Sequence, residues 1–178
     1  MAVHAMIDIE TFGTKPDCVI TSIGAIKFSP FDDKEPHNPL YVRVDVDEQT
    51  AMGRTVEDST MDWWAKQDPK VREEALSEEG RHSLEYMTNE LNKFLVGVDK
   101  IWCQGPAFDM VILEDLYRQL QRPTPWQFWQ VRDSRTLFGL MPSDPRKEIQ
   151  EDLHNALADC YYQAICVQKT FKHFGIVK

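Results

Sequence analysis

Val3-His4-Ala5-Met6-Ile7-Asp8-Ile9-Glu10-Thr11 decides how this chain is read. Its apolar residues form a short continuous run of the kind that fills a buried strand. Asp8 and Glu10 interrupt that run two positions apart. Alternate residues of a strand point to the same face, so both carboxylates leave one side. Carboxylates are rarely buried unless they are paired or bound to a metal. Two like charges on one face also disfavour each other's ionised form. A divalent cation between them removes both penalties. The stretch therefore predicts a buried strand carrying a metal site.

Working outward, the flanks describe a sheet. Residues 19–28 form a second apolar run, and Gly24 inside it marks a bulge or a close approach of another backbone. Ser29-Pro30-Phe31-Asp32-Asp33 and Pro36-His37-Asn38-Pro39 are turn formers. Residues 41–46 alternate with period two and predict a half-exposed third strand. Three strands joined by short loops predict an antiparallel meander.

Helices follow. Ser59 reads as the cap of a short helix carrying Trp63 and Trp64, and Asp68-Pro69 as the cap and first turn of another. Ser83 reads as the cap of a longer helix with Leu84, Met87, Leu91, Phe94 and Leu95 on one face. Residues 100–104 predict a short strand that Gly105-Pro106 breaks. Asp109 then opens a helix with Ile112, Leu113, Leu116 and Leu120 inward. Residues 126–131 predict a last strand, Asp133 the cap of the next helix, 142–152 a polar loop and 155–173 the final helix. Strands that alternate with helices add to a sheet in parallel. The expected fold is α/β: a mixed five-stranded sheet, part meander and part parallel, flanked by helices.

Composition narrows the functions. The chain has 178 residues and 42% apolar content, enough for one cored domain over residues 1–178. No apolar run approaches the ~18 residues of a membrane span. No basic segment followed by an apolar stretch opens the chain, so no secretory signal is visible. Cys18, Cys103, Cys160 and Cys166 lack CxxC spacing, which disfavours zinc and suits free thiols in a reducing cytoplasm. A net charge of −9 argues against a broad grip on duplex nucleic acid, where affinity comes from neutralised phosphates. It permits a cleft in which bound ions supply the positive charge.

Two further carboxylates fall where ligands of the same site belong. Asp109 follows a strand end at a helix N-terminus, and Asp159 lies one turn into the last helix. Hard cations such as Mg²⁺ take oxygen ligands and keep positions open for phosphate and water. Two such ions can activate an attacking water and stabilise the leaving oxygen of a phosphodiester. His154 stands five residues before Asp159. On one regular helix five residues rotate to ~140° off the starting face. The two converge only if Asn155 caps the helix and His154 sits in the loop before it. A histidine there, titrating near neutral pH, suits a general base.

Asp8-Ile9-Glu10-Thr11, Phe108-Asp109 and His154-Asn155-Ala156-Leu157-Ala158-Asp159 together resemble the three motifs of the DEDDh 3′–5′ exonucleases, which have an RNase H-like fold. The resemblance spans nearly the whole chain, in the family's order. Trp63-Trp64 and the segment from Ile101 to Asp109 are most similar to the phage and prophage exodeoxyribonuclease VIII-like group and RNase AS. Many relatives carry a His-Asn pair just before the second motif, where this chain has Gln104-Gly105. The resemblance implies hydrolysis from the 3′ end of single-stranded DNA or RNA, releasing nucleoside 5′-monophosphates. It implies two Mg²⁺ ions, with Mn²⁺ as a substitute. Asp8, Glu10 and Asp159 would hold the first ion and Asp8 with Asp109 the second, with His154 as the base. Thr11, Phe12 and Phe108, in the motif segments, are expected to contact the substrate. By analogy a homodimer is expected.

Other residues carry weaker signals. Trp63 and Trp64 are adjacent, so at most one faces the core, and Trp64 is taken as a candidate to stack on a base. Arg135 is a candidate phosphate contact. His4, His37, His82 and His173 read as ordinary loop histidines. Asp45–Glu48 reads as a solvated acidic stretch. Two alternatives use the same fold: a nucleic-acid-binding adaptor without catalysis, and a proofreading subunit held by a polymerase.

Overall fold

The structure is a computed structural model that describes residues 2–149 and 154–178. The opening stretch lies at its centre. Strand β1 (His4–Thr11) pairs antiparallel with β2 (Ile20–Phe28), and β2 pairs antiparallel with β3 (His37–Arg43). On its other side β1 pairs parallel with β4 (Lys100–Cys103), which pairs parallel with β5 (Val131–Asp133). The order β3-β2-β1-β4-β5 is the mixed five-stranded sheet that the sequence predicts. A central strand is covered on both faces, which explains why β1 is apolar at nearly every position.

Seven helices are described: α1 (Val46–Ala51), α2 (Asp58–Ala65), α3 (Pro69–Leu76), α4 (Leu84–Phe94), α5 (Asp109–Gln119), α6 (Ser134–Gly139) and α7 (Ala156–Phe174). The two-residue period of β1 divides the core. Ala5, Ile7 and Ile9 join a cluster with Leu84, Met87 and Leu91 of α4 and Ile112, Leu113 and Leu116 of α5. Met6, on the alternate face, joins Cys160, Ala164, Val167 and Phe171 of α7. Asp8 and Glu10 share the period of Met6 and therefore lie on the α7 side.

Several caps match their sequence signals. Asp68 accepts from Lys70 N, Ser83 from Tyr86 N, Asp133 from Arg135 N, and Asn155 from Leu157 N and Ala158 N. Others differ. Ser59 lies inside α2, which has Glu57 at its cap position without a side-chain cap bond. The Glu57 carboxylate instead accepts from Thr14 N and Lys15 N, tying down the loop after β1. Asp45–Glu48 is not merely a solvated stretch: Asp45 caps α1 by accepting from Glu48 N at 2.8 Å. The chain leaves the sheet to begin α1, so the third strand ends at Arg43 instead of residue 46; it also starts earlier, at His37, where the sequence predicts a turn.

The strand expected at 126–131 is replaced by a 3₁₀ turn at Phe128–Gln130, closed by a Gln127–Gln130 capping box, and β5 begins only at Val131. His4 is not a loop residue. It is buried in β1, accepts a hydrogen bond from Trp102 Nε1 at 2.9 Å, and burial lowers its pKa to about 4. The polar loop expected at 142–152 contains a 3₁₀ turn at Pro145–Glu148, and its last positions, 150–152, lie outside the described residues.

Gly24 is a point of close approach. A Cβ there would lie 2.3–2.4 Å from Ala156 C, Ala156 O and Leu157 N, the backbone that starts α7. Cys160 Sγ, one turn further along α7 on the same face, donates to Gly24 O at 3.2 Å. Gly24 is also the cross-strand partner of Asp8. One absent side chain thus lets the N-terminus of α7 rest on the sheet beside Asp8. Replacing Gly24 by Ala forces backbone against backbone, where neither side is a flexible side-chain end. Such overpacking costs about 1–3 kcal/mol. We expect Gly24→Ala to lower the urea midpoint accordingly; an unchanged midpoint would show that α7 is free to shift outward.

Candidate metal centre

Three elements deliver the carboxylates to one cleft. β1 carries Asp8 and Glu10, α5 begins at Asp109, and α7 carries Asp159 in its first turn. The last two sit at helix N-termini, where the helix dipole favours negative charge. Asp8, Glu10 and Asp159 each offer a carboxylate oxygen, and these oxygens lie within 4.8 Å of one another. Asp109 stands beside this trio; its Oδ2 accepts from Ile9 N at 3.2 Å. The cleft around them is about 440 Å³ and is also lined by Gln104, Phe108, Arg135, His154, Tyr162 and Gln163.

The electrostatics are unfavourable without a counter-ion. Burial pushes Asp8 well above the usual carboxylate range, and the charges of Asp109, Glu10 and Asp159 push it further. Burial also raises Glu10, with Asp159 as its main charged neighbour. Asp109 is pushed up to about 7 by burial, against the Ile9 N–H and the positive charge of Arg135. An all-oxygen donor set suits a hard divalent cation. With Mg–O distances of ~2.1 Å, oxygens on opposite sides of one ion lie ~4.2 Å apart, so a trio within 4.8 Å is close to the span of a single ion's ligand set and at most slightly wider. The residues present therefore fit the cation.

His154 precedes α7, as its offset from Asp159 requires, and Asn155 is the cap. Its backbone has φ +22°, a sharp turn into the helix. Its ring meets Trp63 edge-on, with centroids 4.9 Å apart. Trp63 and Trp64 divide their roles in the opposite sense to the sequence reading. Trp64 is 1% exposed and donates from Nε1 to Thr11 O at 2.9 Å, so it props the end of β1 and is no stacking surface. Trp63 is the exposed member. A helix capped at Ser59 does not decide between two adjacent rings; the position of β1 does.

Phe12 is buried with Val19, Trp64 and Ala75 and lines neither the cleft nor the recess beside it, against the expectation of a substrate contact. Thr11 is buried and donates to Gly13 O at 2.6 Å. It lines a second recess of about 290 Å³ together with Gly13, Thr14 and Trp63. Ile9, Glu10 and Phe108 line both spaces, so the recess adjoins the carboxylates. Arg135 is exposed at the cleft, with one guanidinium nitrogen 3.5 Å from Gln104 O. Arg146 also lines the cleft, but its Nε and Nη2 both donate to Asp144, which occupies one edge of its guanidinium. Sequence reasoning missed Gln163 and Tyr162. The available signal was their spacing of four and three residues after Asp159, which puts them on its face of α7.

Comparison with known proteins shows the family and the fold. The model of the 3′-5′ exoribonuclease Rv2179c-like domain family matches residues 3–171. The exodeoxyribonuclease of Enterobacteria phage T4 is 28% identical over 157 residues, which cover 74% of this chain and 68% of the phage protein. Among solved structures, E. coli exonuclease I in complex with a dT13 oligonucleotide superposes with a TM-score of 0.71 at 15% identity, covering 98% of this chain and 43% of that one. A moderately thermophilic exonuclease I from Methylocaldum szegediense gives 0.66 at 15% identity, covering 97% and 41%. The chain thus spans about two-fifths of these exonuclease I chains. At that identity they show the fold, the α/β sheet of the RNase H-like class.

Two outcomes are expected. Asp109 titrates near 7 when folded but near 4 when unfolded. The folded state then binds the extra proton, so this contribution to stability is full at low pH and is lost as pH rises through 7. Asp8 and Glu10 act in the same direction. In EDTA the thermal midpoint should therefore fall from pH 5 to pH 8, and Mg²⁺ should restore it most at pH 8. A midpoint that rises with pH in EDTA would contradict the crowding of these carboxylates. Secondly, Trp64→Ala should cost about 3–5 kcal/mol of stability, as deletion of a buried ring does. Trp63→Ala should cost within about 0.5 kcal/mol, as an exposed substitution does. Denaturant titration of both variants checks the assignment.

Proposed function

The chain belongs to the 3′-5′ exoribonuclease Rv2179c-like domain family, and on that premise we propose that it is a metal-dependent 3′–5′ exonuclease releasing nucleoside 5′-monophosphates from single-stranded DNA or RNA. The observation that carries this reading is the trio Asp8, Glu10 and Asp159, gathered within 4.8 Å in a cleft that also holds His154. A chain that only bound nucleic acid would gain nothing from carboxylates held above their usual pKa.

Asp8, Glu10 and Asp159 would hold one Mg²⁺, and Asp8 with Asp109 a second; Mn²⁺ has the same ligand preference. Bound there, such ions neutralise the carboxylates and polarise a phosphodiester. The chain's own groups do the rest. An imidazole nitrogen of His154 accepts the proton of the attacking water. The Trp63 ring beside it limits the directions in which that imidazole can swing. The recess walled by Thr11, Trp63 and Phe108 receives the terminal nucleotide, and Trp63 offers a ring face to its base. Arg135 presents its charge to a phosphate at the cleft mouth. A cleft this small, on a chain of net charge −9, suits a strand end better than a duplex.

The single-stranded oligonucleotides held by E. coli exonuclease I support a single-stranded substrate, and the four buried cysteines suit a reducing cytoplasm. The family description speaks of RNA and the phage relative's name of DNA, so both belong in the test. Matched 5′-labelled single-stranded DNA and RNA, digested with Mg²⁺, should shorten from the 3′ end. Asp8→Ala and Asp159→Ala should each abolish digestion with unchanged far-UV circular dichroism; full digestion by either variant would sink the proposal. His154→Ala should lower turnover by about 10²–10⁴, the usual contribution of a general base, with Mn²⁺ affinity unchanged. Turnover within twofold of the parent would remove His154 from the role.

A further inference from the structure

The cleft contains a polar group that the proposed function does not use. Gln163 follows Asp159 by four residues on α7, so the two side chains share a face. Gln163 is only 9% exposed and lines the cleft among the carboxylates. Its amide lies near the Asp8 carboxyl and favours the charged form of Asp8. An N–H turned toward the carboxylate has that effect, because an approaching amide oxygen would disfavour it. The reversed amide would set one acceptor against another.

The amide oxygen, Oε1, is the atom left over. It is buried and has no hydrogen-bond partner. A buried amide oxygen without a donor loses its hydration with no return, and native structures seldom keep one that nothing satisfies. Once ionised, as ligands of a cation must be, Asp8, Glu10 and Asp159 are acceptors and cannot serve it. Gln104 Oε1, in the same cleft, is also buried without a partner, but its residue as a whole is only half-buried and lies off the α7 face that carries Asp159. Gln163 Oε1 is the atom that calls for a positively polarised ligand at this spot.

We infer that Gln163 is a positioning residue of the cation cradle: its Nε2–H anchors Asp8 as a ligand, and its Oε1 is the chain's neutral oxygen contact to the hydrated divalent cation. The inference rests on the metal-dependent reading above and adds to it a residue that is neither a carboxylate nor a base. Partners that orient a metal ligand typically change affinity by about 10–100-fold when removed. A methionine has similar length and no amide, so it removes both contacts while filling the space.

The test is calorimetric titration of the full chain with Mn²⁺ alone, without nucleic acid. Gln163→Met should weaken Mn²⁺ binding by about 10–100-fold. Its metal-free thermal midpoint should equal or exceed that of the parent, because an unsatisfied oxygen has gone. Mn²⁺ affinity within twofold of the parent would overturn the inference and leave the metal-dependent reading intact. A parent chain that binds no Mn²⁺ at millimolar concentration would overturn that reading, and the inference with it. Should Gln163→Met fail to fold, Gln163→Glu decides in the same titration. A charged oxygen in contact with the cation should tighten Mn²⁺ binding at least tenfold, and equal or weaker binding overturns the contact.

Discussion

The contact between Gly24 and the first turn of α7 is the constraint on which the site depends. α7 can lie on the sheet at this point only because Gly24 has no side chain. The turn that rests there is flanked by His154 before it and Asp159 within it. The strand beneath carries Asp8 opposite Gly24. A distance of a few ångströms between a helix and a sheet thus becomes the distance between one carboxylate and the next. The Cys160 thiol, one turn further along α7, also bonds to Gly24 O.

The apolar core and the charged cleft share one strand. Odd-numbered positions of β1 feed the cluster beneath α4 and α5, while Met6 continues the cluster beneath α7. The period that brings Met6 to α7 brings Asp8 and Glu10 to the cleft. The rigid packing that secures β1 therefore also holds its carboxylates in place. Their raised pKa values are the electrostatic cost of that arrangement, and a bound cation removes it. Gln163 acts in the same direction on a smaller scale, since its amide favours the ionised form of Asp8.

Legibility in the sequence followed how local each signal was. Asp68, Ser83, Asp133 and Asn155 act within a turn of their own helices, and all four caps stand where the residue types placed them. The expected strand at 126–131 failed because β-rich composition says nothing of the Gln127–Gln130 box that curls the chain into a 3₁₀ turn. Asp45 was acidic for a local reason, an N-cap, that a charge count does not reveal. The place of Phe12 beside a motif predicts a substrate contact, but a motif says nothing of packing, and the ring is buried with Val19 and Trp64.

The site divides along the same line. Period and chemistry alone determined that Asp8 and Glu10 share a face, that His154 must stand before its helix, and that Asp109 and Asp159 open helices. These statements need only the repeat of a strand and the pitch of a helix. Tertiary structure decided that the four carboxylates meet in one cleft, that Trp64 is a prop while Trp63 faces His154, and that Gln163 keeps an unpartnered oxygen among them. Those facts depend on where α2 and α7 dock against β1. Docking is set by close packing between segments far apart in the chain, and no local repeat encodes it.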